Sequence, residues 1–363
     1  MMAPAVSVVM SVLNGERFVA EAVRSILSQT LRDFEFIIIN DGSTDGTASI
    51  LDSYVGTDPR VQVYHQENRG MVESLNRGCG LARGKYIARM DADDIAFPDR
   101  LERQVAYLES HPEIAILGGA FEVIDASGCR ISTIVRETTD QELREILKIA
   151  TCFQHSTVVM RREAFCAVKG YRKAFRRNDD YDLFLRMLER YQGANLPEPV
   201  LYCRVHPRQA SGSCLRQLVL EGLVAQASAN IRTCGGTDPL WELDEITPHV
   251  AKALGISDAD IQKTLVQSYA GRITLMWRVG EARAALQYFN ELLELEPSRR
   301  IPRFGVADGR LAEASIHYRQ GRPFRALLAA GRALWARPTI AGRPLKRALN
   351  SFFADRRARK VAR

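Results

Sequence analysis

The chain has 363 residues, 46% hydrophobic and 26% charged, which is the balance of a soluble globular protein long enough for two or three domains. Seven scattered cysteines without a Cys-x-x-Cys pair argue against a zinc site or a disulfide framework and fit a reducing cytosol. The net charge of +7 is concentrated at one end: Arg337 to Arg363 holds nine Lys or Arg and one acid, Asp355, so the remainder is nearly neutral.

That basic segment, with Phe352 and Phe353 inside it, could rest on an anionic membrane surface or on nucleic acid, or be a solvated tail. No nucleic-acid partner is expected. Val6 to Leu13 is a short strand-like run without a preceding basic region, unlike a signal peptide, and no run reaches the roughly 18 apolar residues of a membrane span. The expected location is the cytoplasm, with the tail offering a peripheral contact at the inner face of the cell membrane.

From Val6 to Met90 apolar β-type runs alternate with helical segments. Strands at Val6 to Val12, Phe34 to Asn40, Val61 to His65 and Tyr86 to Met90 are separated by helices at about Glu16 to Gln29, Thr47 to Tyr54 and Met71 to Ala82. Such repetition predicts a mostly parallel sheet covered by helices, with ligands at the carboxyl ends of the strands. At those ends lie Asn14-Gly15-Glu16, the turn- and cap-rich Asn40 to Thr47, and Glu67-Asn68-Arg69-Gly70. Neither a Gly-x-Gly-x-x-Gly fingerprint nor a Gly-x-x-x-x-Gly-Lys loop is present, which weakens dehydrogenase and NTPase readings. The fourth strand runs into Asp91-Ala92-Asp93-Asp94, and period two puts Asp91 and Asp93 on one side. Paired carboxylates there suit Mg²⁺ or Mn²⁺ carrying a diphosphate; an acidic cap on the next helix would use the same residues.

Val6 to Glu16, Ser25 to Thr30, Asn40 to Thr47, Asn68-Arg69-Gly70, Asn76 and Asp91 to Asp94, in this order and spacing, resemble the family 2 glycosyltransferases of the GT-A fold over about Val6 to Ser211. The resemblance implies transfer of a sugar from a nucleoside diphosphate donor, UDP-sugars first among them, to a hydroxyl of a glycan or lipid-linked acceptor, with inversion. It makes Asp41 the base contact, Asp91 the ribose or sugar contact and Asp93 the metal ligand, and sets Leu13, Asn14, Glu16, Arg69 and Ala92 around the nucleotide sugar. Leu13 stands where many relatives carry tyrosine.

Leu117 to Ala120 and Phe121 to Ile124, before a turn at Asp125 to Gly128, read as a strand pair of the acceptor half. A helix from about Gln141 to Ile149 and an apolar run behind His155 follow. Beyond Lys169-Gly170-Tyr171, the apolar positions Tyr181, Phe184, Leu185 and Leu188 mark an amphipathic helix whose first turn holds Asp179, Asp180 and Asp182. These acids could simply favour the helix N-terminus. The resemblance instead makes Asp180 the base that deprotonates the acceptor, with Asp179 in place of the usual glutamate and Gly170 in the glycine loop. It also makes His206, in Leu201 to Pro207, a second metal ligand or diphosphate contact.

Past Ser211 the strand signal stops. Gly280, Ala285, Phe289 and Pro297 are echoed by Gly321, Ala326, Ala330 and Pro338, two degenerate units resembling tetratricopeptide repeats. The expected division is a GT-A catalytic domain at 1–211, a helical domain at 212–338 that either docks a protein partner or only covers apolar surface, and a basic tail at 339–363. Two rival readings remain: a sugar-phosphate nucleotidyltransferase, which would need a basic glycine-rich loop after the first strand, and a non-enzymatic helical-repeat scaffold.

Overall fold

The structure is a computed structural model, and it describes residues 3–207, 214–296, 302–320 and 322–336. Its first half alternates β1 (Val6–Val12), α1 (Val19–Leu27), β2 (Phe34–Asp41), α2 (Thr47–Asp52), β3 (Val61–Gln66), α3 (Met71–Leu81) and β4 (Tyr86–Asp91). Then come β5 (Ile95–Ala96), α4 (Arg100–Ser110), β6 (Ile114–Ile124), β7 (Arg130–Ile134), α5 (Asp140–Leu147), β8 (Val159–Arg161), α6 (Arg162–Ala167), α7 (Asp179–Arg190) and β9 (Gln192–Arg204). The remainder is helical: α8 (Leu215–Thr233), α9 (Pro248–Ala253), α10 (Asp258–Arg278), α11 (Ala282–Leu295), α12 (Arg303–Arg319) and α13 (Pro323–Ala336).

The nine strands form one sheet in the order β3-β2-β1-β4-β8-β6-β9-β5, with β7 on β6. β3, β2, β1 and β4 are mutually parallel, whereas β8 runs antiparallel to both β4 and β6. β1 and β2 are almost wholly buried, as expected of parallel strands covered on both faces. Their register aligns Val12 with Asn40, Asp41 with Gln66 and Ser11 with Asp91, so the ends of all four strands share one rim. Gln29, buried in the Ser25–Thr30 motif, fixes the next segment there: its amide donates to the Phe97 carbonyl at 2.6 Å and accepts from Leu101 N at 2.9 Å.

Two local expectations are corrected. Leu117 to Ile124 is not a strand pair but part of one strand, β6, which turns at Asp125–Gly128 into β7. Gly118 and Gly119 do not break it; they let β9 approach. A Cβ on Gly118 would lie 2.1 Å from Asn195 Oδ1 and 2.7 Å from Phe153, and one on Gly119 would lie 2.8 Å from Val200. Overpacking of this kind costs about 1–3 kcal/mol, so Gly118→Ala should lower unfolding free energy by that amount in a denaturant titration. The first helix also begins at Val19, not Glu16, because residues 14–16 are tied to the second loop as described below.

By internal contacts the chain divides into two compact units, Met1–Arg204 with Leu220–Ile256 and Val205–Val219 with Ser257–Arg363. In the second unit α10 turns into α11 at Gly280, whose φ of +83° suits a residue without a Cβ. α12 lies close to both: a Cβ on Gly305 would fall 2.7 Å from Ala270 and one on Gly309 would fall 2.4 Å from Phe289. Pro297, Gly321 and Pro338 of the repeat pattern, and the basic tail at 339–363, lie outside the described residues. Among the described residues no helix is long and apolar enough to cross a membrane. All seven cysteines are free.

Candidate active site

The rim of the parallel strands is built from loops laced to one another. Asn14, in the left-handed region at φ 53°, donates its backbone N–H to Ser43 Oγ at 2.9 Å and accepts from Thr44 N through Oδ1 at 2.8 Å. Gly15 N donates to Thr47 Oγ1 at 2.8 Å, and Glu16 Oε2 accepts from Gly46 N at 2.8 Å. Asn14 and Glu16 thus hold the 43–47 loop, while Leu13 beside them is exposed. Asp41 is buried and spans the next gap: Oδ1 accepts from Gln66 Nε2 and Arg69 N at 2.8 and 2.9 Å, and Oδ2 from Gly70 N at 2.9 Å. The carboxylate fixes the backbone of the loop that presents the exposed Arg69 side chain.

At the end of β4 the acids divide by environment. Desolvation works against the Asp91 charge, but the Arg89 guanidinium, donating to Oδ1 at 2.6 Å, leaves the carboxyl below its ordinary value. Asp93 is half-buried; its carbonyl accepts from Arg204 Nε at 2.9 Å. Asp94 is buried, accepting from Ser156 Oγ and from Arg204 N. Burial first, and then the neighbouring Asp93 and Asp91 charges, push it well above the usual carboxylate range. Ala92 separates the two outward acids on the same turn.

The first turn of α7 and the 168–172 loop are organised by a buried ion cluster. Asp182 accepts from Arg172 Nε at 3.0 Å and from Arg186 Nη2 at 2.8 Å, and Arg172 also pairs with Asp238 at 2.7 Å. Arg186 reaches on to the carbonyls of Val168 and Gly170 at 2.6 and 2.7 Å. This holds a strained loop in place, since Lys169 and Gly170 have φ of 62° and 65°. Asn76 clamps the other side, donating to Tyr171 O at 2.8 Å and accepting from Tyr171 N at 3.0 Å. A Cβ on Gly170 would lie 2.8 Å from Asn76 Oδ1.

Asp179 and Asp180 open α7. Asp179 is buried and its Oδ2 has no hydrogen-bond partner; desolvation, and then Asp180, raise its carboxyl well above the usual range. Asp180 is half-buried, and desolvation pushes it up to about 6. The Tyr181 amide on Oδ1 and the Arg89 charge pull it down, whereas Asp91 pushes it up. His155 contacts Tyr171 Oη at 2.8 Å, and burial together with Arg89 lowers it to about 3, so its ring is neutral.

The structure therefore brings Asp91, Asp179 and Asp180 into one electrostatic neighbourhood around Arg89. His206 falls in the segment that groups with the second unit. Arg89 is the residue that sequence reasoning missed; its signal is an arginine inside the otherwise apolar run Tyr86 to Met90. Among the described residues no three His, Cys, Asp or Glu side chains gather into a metal cage. The half-buried carboxylate of Asp93 stands two residues from that of Asp91 at the end of β4.

An α/β sheet with helices on its flanks and laced loops at the rim is the GT-A fold of nucleotide-sugar transferases. Matching architecture is found in TarS 1–349 of S. aureus, solved in complex with UDP-GlcNAc, at a TM-score of 0.54, 16% identity and 91% coverage of both chains. Residues 7–168 match the model of glycosyl transferase family 2. EpsE of Bacillus subtilis, named as a glycosyltransferase, is 39% identical over 206 residues, which is 55% of this chain and 73% of that protein. The O-antigen biosynthesis glycosyltransferase WbnJ of Escherichia coli is 32% identical over 214 residues, 58% of this chain and 83% of that protein. The chain belongs to glycosyltransferase family 2, and its function is that of a glycosyltransferase.

Proposed function

We propose that the protein transfers a sugar, with inversion, from a nucleoside diphosphate donor to the hydroxyl of a glycan or lipid-linked acceptor in cell-surface polysaccharide synthesis. Relatives named for O-antigen and amylovoran biosynthesis support the acceptor class, and UDP-GlcNAc in TarS makes UDP-sugars the first donors to test. The observation that carries the mechanism is that Asp180, in the first turn of α7, feels the negative charge of Asp91 at the end of β4.

In this reading Asp180 takes the proton of the acceptor hydroxyl as its oxygen attacks the anomeric carbon opposite the leaving diphosphate. Asp91, oriented by Arg89, accepts from the ribose or the sugar. Asp41 serves the nucleoside by fixing the Arg69 and Gly70 amides, and Gly170 keeps the space beside Asn76 clear for the sugar. A divalent ion held by Asp93 would stabilise the charge that develops on the leaving diphosphate. The metal reading rests on Asp93, and Asp93→Ala should abolish the dependence of donor binding on Mg²⁺ or Mn²⁺ in calorimetry; full turnover in that variant would refute it. A base must be ionised to act, so kcat should rise with pH through about 6. A rate flat across that range would remove Asp180 from the role.

The helical half adds a docking surface for a partner in this reading, with α10 to α13 as two tetratricopeptide-like pairs supported by the close α12 contacts at Gly305 and Gly309. The basic tail supplies peripheral attraction to an anionic membrane.

A further inference from the structure

We propose that Glu221, on α8, is a positioning residue of the transfer reaction: its carboxylate fixes the chain at the entry to α7 and so sets where Asp180 stands. The inference rests on the reading of Asp180 as the base. Glu221 is fully buried, and its Oε2 accepts from two successive backbone amides, Arg177 N at 2.7 Å and Asn178 N at 2.9 Å. These are the last two residues before α7. The Asn178 carbonyl in turn accepts from Asp182 N at 3.1 Å and closes the first turn of the helix. Asp179 and Asp180 therefore follow directly from the residue that Glu221 holds.

Position 221 is one point of a longer contact. Glu221, Ala225, Ser228 and Arg232 recur at the spacing of one face of α8, and the polar ones reach α7 or the residues that hold it. Beside them, α8 comes close to the start of α7 at Gly222, where a Cβ would fall 2.8 Å from Asn178 Nδ2. Gln226 Oε1 lies 2.8 Å from Oη of Tyr181, the residue after Asp180. Ser228 Oγ donates to Asp238 Oδ1 at 2.9 Å and Arg232 Nη1 to Asp238 Oδ2 at 2.5 Å; Asp238 pairs in turn with Arg172, the partner of Asp182. At the far end of α7, Arg232 meets Glu189 at 2.6 Å. A helix that only covered α7 would turn an apolar stripe toward it. A buried carboxylate is costly without hydrogen-bond partners, and this one sits where the entry to a helix offers N–H groups with no partner inside the helix. α7 begins without a side-chain cap, so its start is restrained from the neighbouring helix. An oxygen that takes a proton during attack tolerates little displacement, since a misplacement of about 1 Å can cost about 10²-fold in rate.

The test sets two substitutions against each other in the full chain, read as nucleoside diphosphate release from UDP-GlcNAc, UDP-glucose and GDP-mannose with water as the acceptor. Glu221→Gln keeps the reach and an acceptor oxygen, and should retain the wild-type kcat. Glu221→Asp keeps the acid but withdraws it by one methylene; kcat should fall by about 10- to 100-fold, with KM for the donor unchanged because the nucleotide contacts lie on other elements. Glu189→Ala loosens the same two helices at the far end of α7 and should keep the wild-type kcat. A folded Glu221→Asp with the wild-type kcat overturns the proposal. So do equal losses in Glu221→Gln and Glu221→Asp, which would make the charge rather than the reach decisive, and an equal loss in Glu189→Ala, which would make α8 a general support. Failure of both Glu221 variants to fold overturns it as well, leaving the residue purely structural. Asp180→Asn in the same assay separates the two levels: if it stays active the base reading fails, whereas an inactive Asp180→Asn beside a fully active Glu221→Asp removes only the role of Glu221.

Discussion

Asp180→Asn is expected to lose kcat by about 10²- to 10⁴-fold, the contribution of a positioned base, while binding the nucleoside diphosphate donor as wild type does. The amide keeps the shape of the side chain and still accepts from the Tyr181 N–H, now at 2.8 Å from Oδ1, so α7 should start where it does. What disappears is the lone pair that takes a proton near neutral pH. The carboxyl is suited to that task because desolvation has pushed it to about 6: it is ionised at neutral pH yet basic enough to accept. Isothermal titration with UDP and its sugars checks that the loss lies in turnover; a matching loss of donor affinity would instead make Asp180 a binding residue.

Asp182→Ala is expected to destabilise the protein by about 3–5 kcal/mol, the cost of breaking a buried ion pair from one side. Asp182 is fully buried and carries hydrogen bonds from both Arg172 and Arg186; removing it leaves Arg186 without its carboxylate and Arg172 with Asp238 alone. The two guanidiniums also lie 5.4 Å from the Trp241 ring, so the damage should spread to the 238–241 segment. Because Arg186 holds the carbonyls of Val168 and Gly170, activity should fall in whatever fraction remains folded. Burial alone would raise the Asp182 carboxyl, but the charges of Arg186 and then Arg172 bring it below its ordinary 3.8. A depressed folded value contributes stability above the unfolded one and loses it as pH falls through the lower one. Wild type should thus lose this contribution only in acid below about 3.8, and Asp182→Asn should abolish that part of the acid dependence. Urea unfolding at neutral and acid pH measures both.

The parallel half was legible because four apolar runs, each ending in turn formers or acids, permit little besides a βαβ sheet. β9 was legible only in its last residues, from Leu201 on. Pro197 and Pro199 interrupt its pattern, and the shift in its pairing with β6 next to Pro199 shows how the sheet accommodates a residue with no N–H to give. The paired glycines of β6 resembled a break for a related reason: sequence cannot distinguish a glycine that bends the chain from one that admits a neighbouring strand. At the rim, Asn14, Glu16 and Asp41 were recognisable as polar residues at strand ends. Whether such a group faces a ligand or a neighbouring loop depends on side-chain direction, and here the three lace loop to loop. In the run Asp91 to Asp94 the residue types are the same but the environments differ, since Asp94 turns inward to Ser156 and Arg204. Arg89 was hidden for the opposite reason: one charge in an apolar strand says little until its buried ion pair with Asp91 is seen.

The claim that donor and acceptor acids operate as one site is tested most directly by the pH profile of nucleoside diphosphate release, measured for wild type and Asp180→Asn with the same donor. An acid limb near pH 6 in wild type, together with a rate lower by orders of magnitude and no such limb in the variant, is the predicted result. Equal rates and superimposable profiles for the two proteins would contradict it.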